Sequence, residues 1–336
     1  MSEPRKPIIA ITMGDPCGIG PEVVAKALAS GEVYSDCRPV VVGSVWCMEQ
    51  AVLGAGSALQ VRKVESPEEA GLSPELVDVV DPHNLNPEDM AVGEVSAACG
   101  KVAMEWVSLA AHLALEGQVD ALATAPINKE SASLAGYKAI GHMELLQEIS
   151  GASDVATMLM SGPLWVVHLT THRSLRQACD YVTKDRILAK LQLTQDSFGQ
   201  WGIPNPRVGV AAINPHGSDG GLLGSEEAEE IAPAVEEARL SGIDAYGPVP
   251  ADILFHQTIQ GAYDVALAMY HDQGHIPVKV YGFERSITAN LGLPFVRTSV
   301  DHGTAFDIAG KGVAQHYSML EAIKMAVSLS SGKGLS

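Results

Sequence analysis

The sequence predicts an α/β protein, and three observations carry that prediction. Short aliphatic, β-branched runs alternate with segments of helical period along the whole chain. The 33 glycines and 19 prolines are many for a helical bundle, and they fit a chain with many strand-to-helix turns. Three apolar runs end in TTH, NPH and YHDQGH, so histidines emerge where predicted strands run out. In open α/β sheets ligands sit at the carboxyl ends of strands. With 336 residues there is room for two compact domains or one large one. Hydrophobic residues make up 46% and aromatics only 5%, so the core is built from Val, Ile, Leu and Ala.

The elements follow in order. IIAITM (8–13) reads as a buried strand, GDPCGIGPE as a tight turn and VVAKALAS as a helix. PVVVGS near residue 40 and ELVDVVD (75–81) add two strands. The stretch 93–117 is long, Ala-rich and helical, and VDALATAP (119–126) is a strand stopped by proline. PLWVVHLTTH (163–172) is a β-branched strand, followed by a helix with Thr183 as N-cap. PRVGVAAINPH (206–216) is a strand, and the next helix begins with an acidic turn that suits its dipole. DVALAMYHDQGH (264–275) reads as a strand breaking into a polar loop, and SMLEAIKMAVSLS closes the chain as a helix. There is no short-period repeat, low-complexity tail or coiled coil.

The formal charge is −18, from 22 basic and 40 acidic residues, which disfavours nucleic acid and anionic lipid as partners. It leaves room for a small anionic substrate held by a few local cations. The five cysteines form no CxxC pair, and their odd, scattered set points to a reducing, cytoplasmic setting. No signal segment or run of ~18 apolar residues is present, so no membrane span is expected.

His172, His216 and His271 lie 44 and 55 residues apart, too far for a local zinc motif. Each alone reads more readily as a structural histidine. Together, after three apolar strands, they suit Zn²⁺, Co²⁺, Fe²⁺, Mn²⁺ or Ni²⁺, with positions left for water or substrate. Asp272 and Asp252 are candidate orienting groups or proton acceptors, Asp252 being equally a helix-capping residue. Lys129 and Lys279 are basic groups beside apolar strands, able to meet an anion or relay a proton. GDPCGIGPE has neither the G-x-G-x-x-G fingerprint nor a Walker lysine. VDHGTAFDIAGKG (300–312) is Gly-spaced and polar, and its amides with Asp307 suit an adenosine ribose or phosphate.

Taken together, TMGDPCGIGPE (12–22), ATAPINKE (123–130), GHMELL (141–146), TTH (170–172), NPHGSDGG (214–221), GPVPAD (247–252), AMYHDQGHIPVK (268–279) and GLPFVRTSVDHGTAFDIAGKG (292–312) span nearly the whole chain. With these blocks the sequence resembles the 4-hydroxythreonine-4-phosphate dehydrogenase family of vitamin B6 synthesis, with its phosphothreonate and phosphoerythronate paralogues. The resemblance implies a two-domain α/β/α fold of the isocitrate/isopropylmalate dehydrogenase kind. One domain would comprise 1–129 plus 300–336 and carry the cofactor loop. The other, 130–299, would carry metal, substrate and dimer-interface residues. The resemblance further implies that His172, His216 and His271 are metal ligands shared across a homodimer, His271 coming from one subunit. It places His142, Lys279 and Arg297 on the substrate. Asp301, His302, Gly303, Thr304, Asp307 and Gly310 would receive NAD or NADP.

Two positions depart from the family pattern. Met143 stands where the family has Thr, and Thr288 where it has Asn, with Asn290 two residues on. Losing a hydroxyl beside a closed-site anion costs about 1–3 kcal/mol, so a matched change of substrate is expected. Three acids are therefore weighed: 4-phosphohydroxy-L-threonine, 4-phospho-D-erythronate or D-threonate, and an unphosphorylated diol carboxylate. The expected reaction oxidises a 3-hydroxy acid to the 3-keto acid and then decarboxylates it, with Lys279 or an Asp–water relay as base. A metal-dependent hydrolase and a non-catalytic small-molecule binding protein are the distant alternatives.

Overall fold

The computed structural model describes residues 5–332 and has a mixed α/β architecture in two units. Of the described residues, the first comprises 5–153 with Leu293–Ser331, and the second Asp154–Gly292 with Gly332. The breaks thus fall at 153/154 and 292/293, where the sequence suggested 129/130 and 299/300. Local packing explains both shifts. Gly100 lets helix Ala97–Leu115 lie against helix Lys129–Leu134 so closely that a Cβ there would sit 2.2 Å from the Ser131 carbonyl carbon. Strand Val296–Val300 pairs in parallel with Ala121–Thr124, which ties it to the first unit.

In the first unit, six parallel strands run in the order Gln60–Val64, Leu76–Val80, Arg38–Val42, Ile8–Thr12, Ala121–Thr124 and Val296–Val300. All five residues of Ile8–Thr12 are buried, as expected of a strand covered on both faces by helices. Helix Gly20–Ala29 follows with Pro21 in its first turn, where a missing N–H costs nothing. Gly14 makes the turn before it with φ +75°, and a Cβ there would meet the Pro126 carbonyl oxygen at 2.4 Å. The edge strand Gln60–Val64 escaped the sequence reading because its side chains are mostly polar and exposed.

In the second unit, Ile287–Leu291 pairs antiparallel with Ala156–Ser161, which forms a hairpin with Leu164–His168. Val265–Ala268, Val208–Ala211 and Ala245–Val249 continue in parallel. Leu159, Val166, Leu254, Ala266 and Val278 share one apolar cluster. Thr183 is the N-cap of helix Lys184–Gln200 as expected, but its hydroxyl makes no cap bond. Glu230 accepts the Lys184 N–H instead, at 2.5 Å. The segment expected as a polar loop after residue 270 is helix His271–Gly282. Gly274 and Pro277 are poor helix formers and hid it. Lys279 therefore lies in a helix's last turn, not beside a strand. Among the described residues, no helix is long and apolar enough to cross a membrane.

Candidate active site

In the second unit, His172 and His271 follow the C-terminal ends of strands Leu164–His168 and Val265–Ala268, with ring centroids 6.5 Å apart. His271 begins its helix and stacks on His275, one turn later, at 3.6 Å. The His275 Nδ1 in turn lies 3.1 Å from Nε2 of the buried His168. Burial, and then His275 and His271, push His168 down to about 3, so it is neutral. Gly274 leaves space for this contact, since a Cβ there would sit 2.3 Å from His168 Nε2. The Nδ1 of His271 lies 2.6 Å from Asp272 Oδ1, an arrangement that leaves Nε2 as the free lone pair.

His216 sits on a different kind of support. From His216 to Gly220 every φ is positive, between 44° and 69°, a left-handed path that L-residues other than glycine resist. Buried Glu227 holds its entrance by accepting the N–H groups of Ile213 and Asn214 at 2.8 and 2.7 Å. Burial alone would raise the Glu227 pKa, but the bonds from Asn214 and Ile213 outweigh it and lower it. Gln273 stitches the same region: its amide accepts from Met269 N–H and donates to the Ala212 carbonyl. His216 itself is exposed, with Asp219 Oδ2 3.3 Å from Nδ1. Among the described residues, no group of three or more His, Cys, Asp or Glu could hold a metal ion. One chain thus brings His172 and His271 together without completing a three-imidazole set. Asp252 lies exposed in the first turn of helix Ala251–Ile259, where its charge suits the helix dipole. Lys279 is half-buried with Nζ over the Phe283 ring at 5.0 Å, and half-buried Thr288 shares a strand with buried Asn290.

In the first unit, Arg297 is almost fully buried and donates two hydrogen bonds to Thr124 Oγ1, at 3.1 and 2.6 Å. Burial lowers its pKa to about 9. His142 opens helix His142–Ser150, with Met143 half-buried beside it. Burial first, then the Arg297 and Lys129 charges, depress the His142 pKa well below the usual imidazole value. Its Nε2 is buried with no hydrogen-bond partner. A neutral imidazole with an unpartnered Nε2 thus stands near a buried guanidinium and an ammonium.

The loop 301–312 also belongs to this unit. Thr304 is buried, and its carbonyl accepts Ile19 N–H at 2.9 Å. Gly18 permits that seam, because a Cβ there would be 2.8 Å from Thr304 Cβ. Thr304 therefore joins two loops, whereas His302, Gly303, Asp307 and Gly310 are exposed and Asp301 is half-buried. Lys311 Nζ turns back to the Asp307 carbonyl at 2.6 Å.

The profile described as "Pyridoxal phosphate biosynthetic protein PdxA" matches residues 35–326. The chain belongs to this family. A D-threonate 4-phosphate dehydrogenase of Cupriavidus necator is 44% identical over 324 residues, covering 96% of this chain and 97% of that one. The crystal structure of a 4-hydroxythreonine-4-phosphate dehydrogenase from Klebsiella pneumoniae superposes with a TM-score of 0.91 at 42% identity, covering 98% and 99% of the two chains. A terephthalate 1,2-cis-dihydrodiol dehydrogenase from Burkholderia xenovorans matches with a TM-score of 0.67 at 32% identity, over 96% and 98%.

Sequence reasoning missed His168, His275, Gln273 and Glu227. The first two carried a faint signal, being further histidines at the same strand end and helix. Glu227 gave none, since in sequence it is one acid in an acidic helical turn.

Proposed function

We propose that this member of the family oxidises a phosphorylated four-carbon 3-hydroxy acid, with 4-phospho-D-threonate as the leading substrate and 4-phosphohydroxy-L-threonine as its close analogue. The chain is an NAD(P)-dependent dehydrogenase of the PdxA kind. That membership sets aside the hydrolase and the non-catalytic binding protein. The observation that carries the substrate class is the buried Arg297 beside neutral His142, whose Nε2 lacks a partner. An anionic oxygen would give the His142 Nε2 its partner beside the Arg297 charge, and a charge-assisted hydrogen bond is strong in such a desolvated place. The preference for threonate rests on Met143 standing in place of a hydroxyl, and on the name of the Cupriavidus relative.

In this reading Arg297 and His142 hold the substrate anion, and the resemblance adds Lys279, Thr288 and Met143 to the substrate-contacting set. Lys279 or an Asp252- or Asp272-linked water would take the hydroxyl proton, and a nicotinamide, when bound, would supply the hydride acceptor. Loss of CO₂ from the 3-keto acid and protonation then give a ketone phosphate. Loop 301–312, with His302, Gly303, Asp307 and Gly310 exposed and Asp301 half-buried, would receive NAD or NADP. The resemblance would set this role in an isocitrate/isopropylmalate dehydrogenase-like fold. By the resemblance His172, His216 and His271 would hold a divalent cation (Zn, Mg, Co or Mn), and such an ion would polarise a hydroxyl and carboxylate. Because one chain brings only two of them together, a second copy completes the set, which makes the active form a homodimer. Five free thiols support a reducing, cytoplasmic setting.

The second reading is an unphosphorylated diol carboxylate, favoured by Met143 and by the likeness to the dihydrodiol dehydrogenase. Nicotinamide reduction with 4-phospho-D-threonate, 4-phospho-D-erythronate and 4-phosphohydroxy-L-threonine, using both cofactors with and without chelator, decides between them. Chelator-sensitive turnover preferring phosphothreonate is expected. Rejection of all three acids by metal-loaded protein would overturn the phosphate assignment.

A further inference from the structure

Cys17 and Cys99 stand 82 residues apart in sequence, yet their sulfurs are 3.1 Å apart. Both residues are 0% exposed. Each comes from a fixed piece of backbone. The Cys17 N–H donates to Asp15 Oδ1 at 2.9 Å, and its carbonyl accepts Gly93 N–H at 2.8 Å. Cys99 lies in the first turn of helix Ala97–Leu115, where its N–H donates to Ser96 Oγ at 3.3 Å. Cys17 thus offers its S–H to a sulfur at a helix N-terminus, where partial positive charge favours thiolate.

We propose that Cys17 and Cys99 form a redox modification site, converted by a small hydroperoxide into a reversible intramolecular disulfide. Cys99 attacks first. Its sulfur takes the distal peroxide oxygen, the O–O bond breaks, and the leaving oxygen receives the Cys99 proton to become an alcohol or water. The sulfur of Cys17 then attacks the sulfenic sulfur of Cys99, and the departing hydroxide takes the Cys17 proton as water. Two thiols are oxidised by two electrons, and one peroxide is reduced.

Several features support the pair over a bland packing role. The Cys17 hydrogen bond lowers the Cys99 pKa and raises that of Cys17, which separates attacker from resolver. Cys37 and Cys47 are each pushed up to about 12 by burial, so neither competes as a nucleophile. A disulfide has S–S ~2.05 Å, so closing the pair takes a movement of about 1 Å. Thr12 Oγ1, at the end of strand Ile8–Thr12, and Asp15 Oδ2, in the loop that follows, are buried without partners, and a small polar oxidant could satisfy them on entry. Burial of both sulfurs excludes larger disulfide oxidants.

The test treats the reduced full chain with equimolar hydrogen peroxide, alkylates the remaining thiols and maps the peptides without reduction. The expected product is a Cys17–Cys99 linked peptide, with two of the five thiols lost under denaturing conditions and regained with dithiothreitol. In Cys17→Ser the link disappears, and dimedone labels Cys99 at least about tenfold above Cys47. Cys17→Ala serves the same purpose if the serine disturbs the loop. Oxidation of the exposed Cys179 alone, with Cys17 and Cys99 still fully alkylatable after denaturation, overturns the proposal. So does a linked peptide joining Cys99 to Cys47.

Discussion

The two units use ionisable side chains in opposite ways. The first buries Arg297 and half-buries His142 with its Nε2 enclosed, so desolvation shifts their charge states before any ligand arrives. The second displays His172 and His216 at the surface and half-buries His271, two of the three steered by neighbouring carboxylates at 2.6 and 3.3 Å. A buried group is preorganised but costly to maintain. An exposed group costs the fold little and depends on further donors for its effect. Stability and function should therefore respond differently to substitution in the two regions.

The largest separation is expected at Arg297. Arg297→Met removes a charge-assisted contact of ~2–5 kcal/mol, so kcat/KM should fall roughly 10²–10³-fold. A large loss of stability with normal kinetics would reverse the assignment. At the other pole, His271→Ala should weaken divalent-cation binding, measured by titration calorimetry, about 10–100-fold. Its unfolding midpoint in chelator should barely move.

Gly274→Ala tests the packed side of that same helix. Its Cβ would collide with His168, so a destabilisation of about 1–3 kcal/mol is expected in denaturant titrations. A neutral effect would mean the His168–His275 contact is loose.

Acid sensitivity sharpens the contrast. His168, at about 3, and His142, well below 6.5, are neutral when folded but protonate in the unfolded chain near 6.5. The unfolded state then binds more protons, so stability is full above about 6.5 and declines as pH falls toward about 3. His168→Asn should flatten part of that decline in chelator-treated protein. An unchanged slope would show that His168 does not contribute. The smallest effect is expected from Met143→Thr, which should shift preference between phosphothreonate and phosphohydroxythreonine by about tenfold or less. No shift would remove Met143 from the specificity set.

Much of this was legible in the chain. Ile8–Thr12, Ala121–Thr124, Leu164–His168, Val208–Ala211 and Val265–Ala268 are short, aliphatic and fully buried, and such runs announce themselves by composition. Gln60–Val64 is a polar edge whose strand character comes from its neighbour. Helix His271–Gly282 defies the propensities of Gly274 and Pro277, because the contact at His168 and the burial of Val278 outweigh them.

The same division holds for function. The histidines at strand ends, the Gly-spaced loop 301–312 and Lys129 and Lys279 were visible as residue types, whereas His142 and Arg297 entered only through the family resemblance. Sequence by itself determined the fold class, the chemistry available and the family blocks, since these depend on local pattern and residue identity. Only the tertiary structure decided that Glu227 anchors the turn before His216, that His142 is left neutral with a bare Nε2, and that two distant cysteines meet at 3.1 Å. Burial and pairing belong to atoms brought together across many residues, and no local pattern in the chain encodes them.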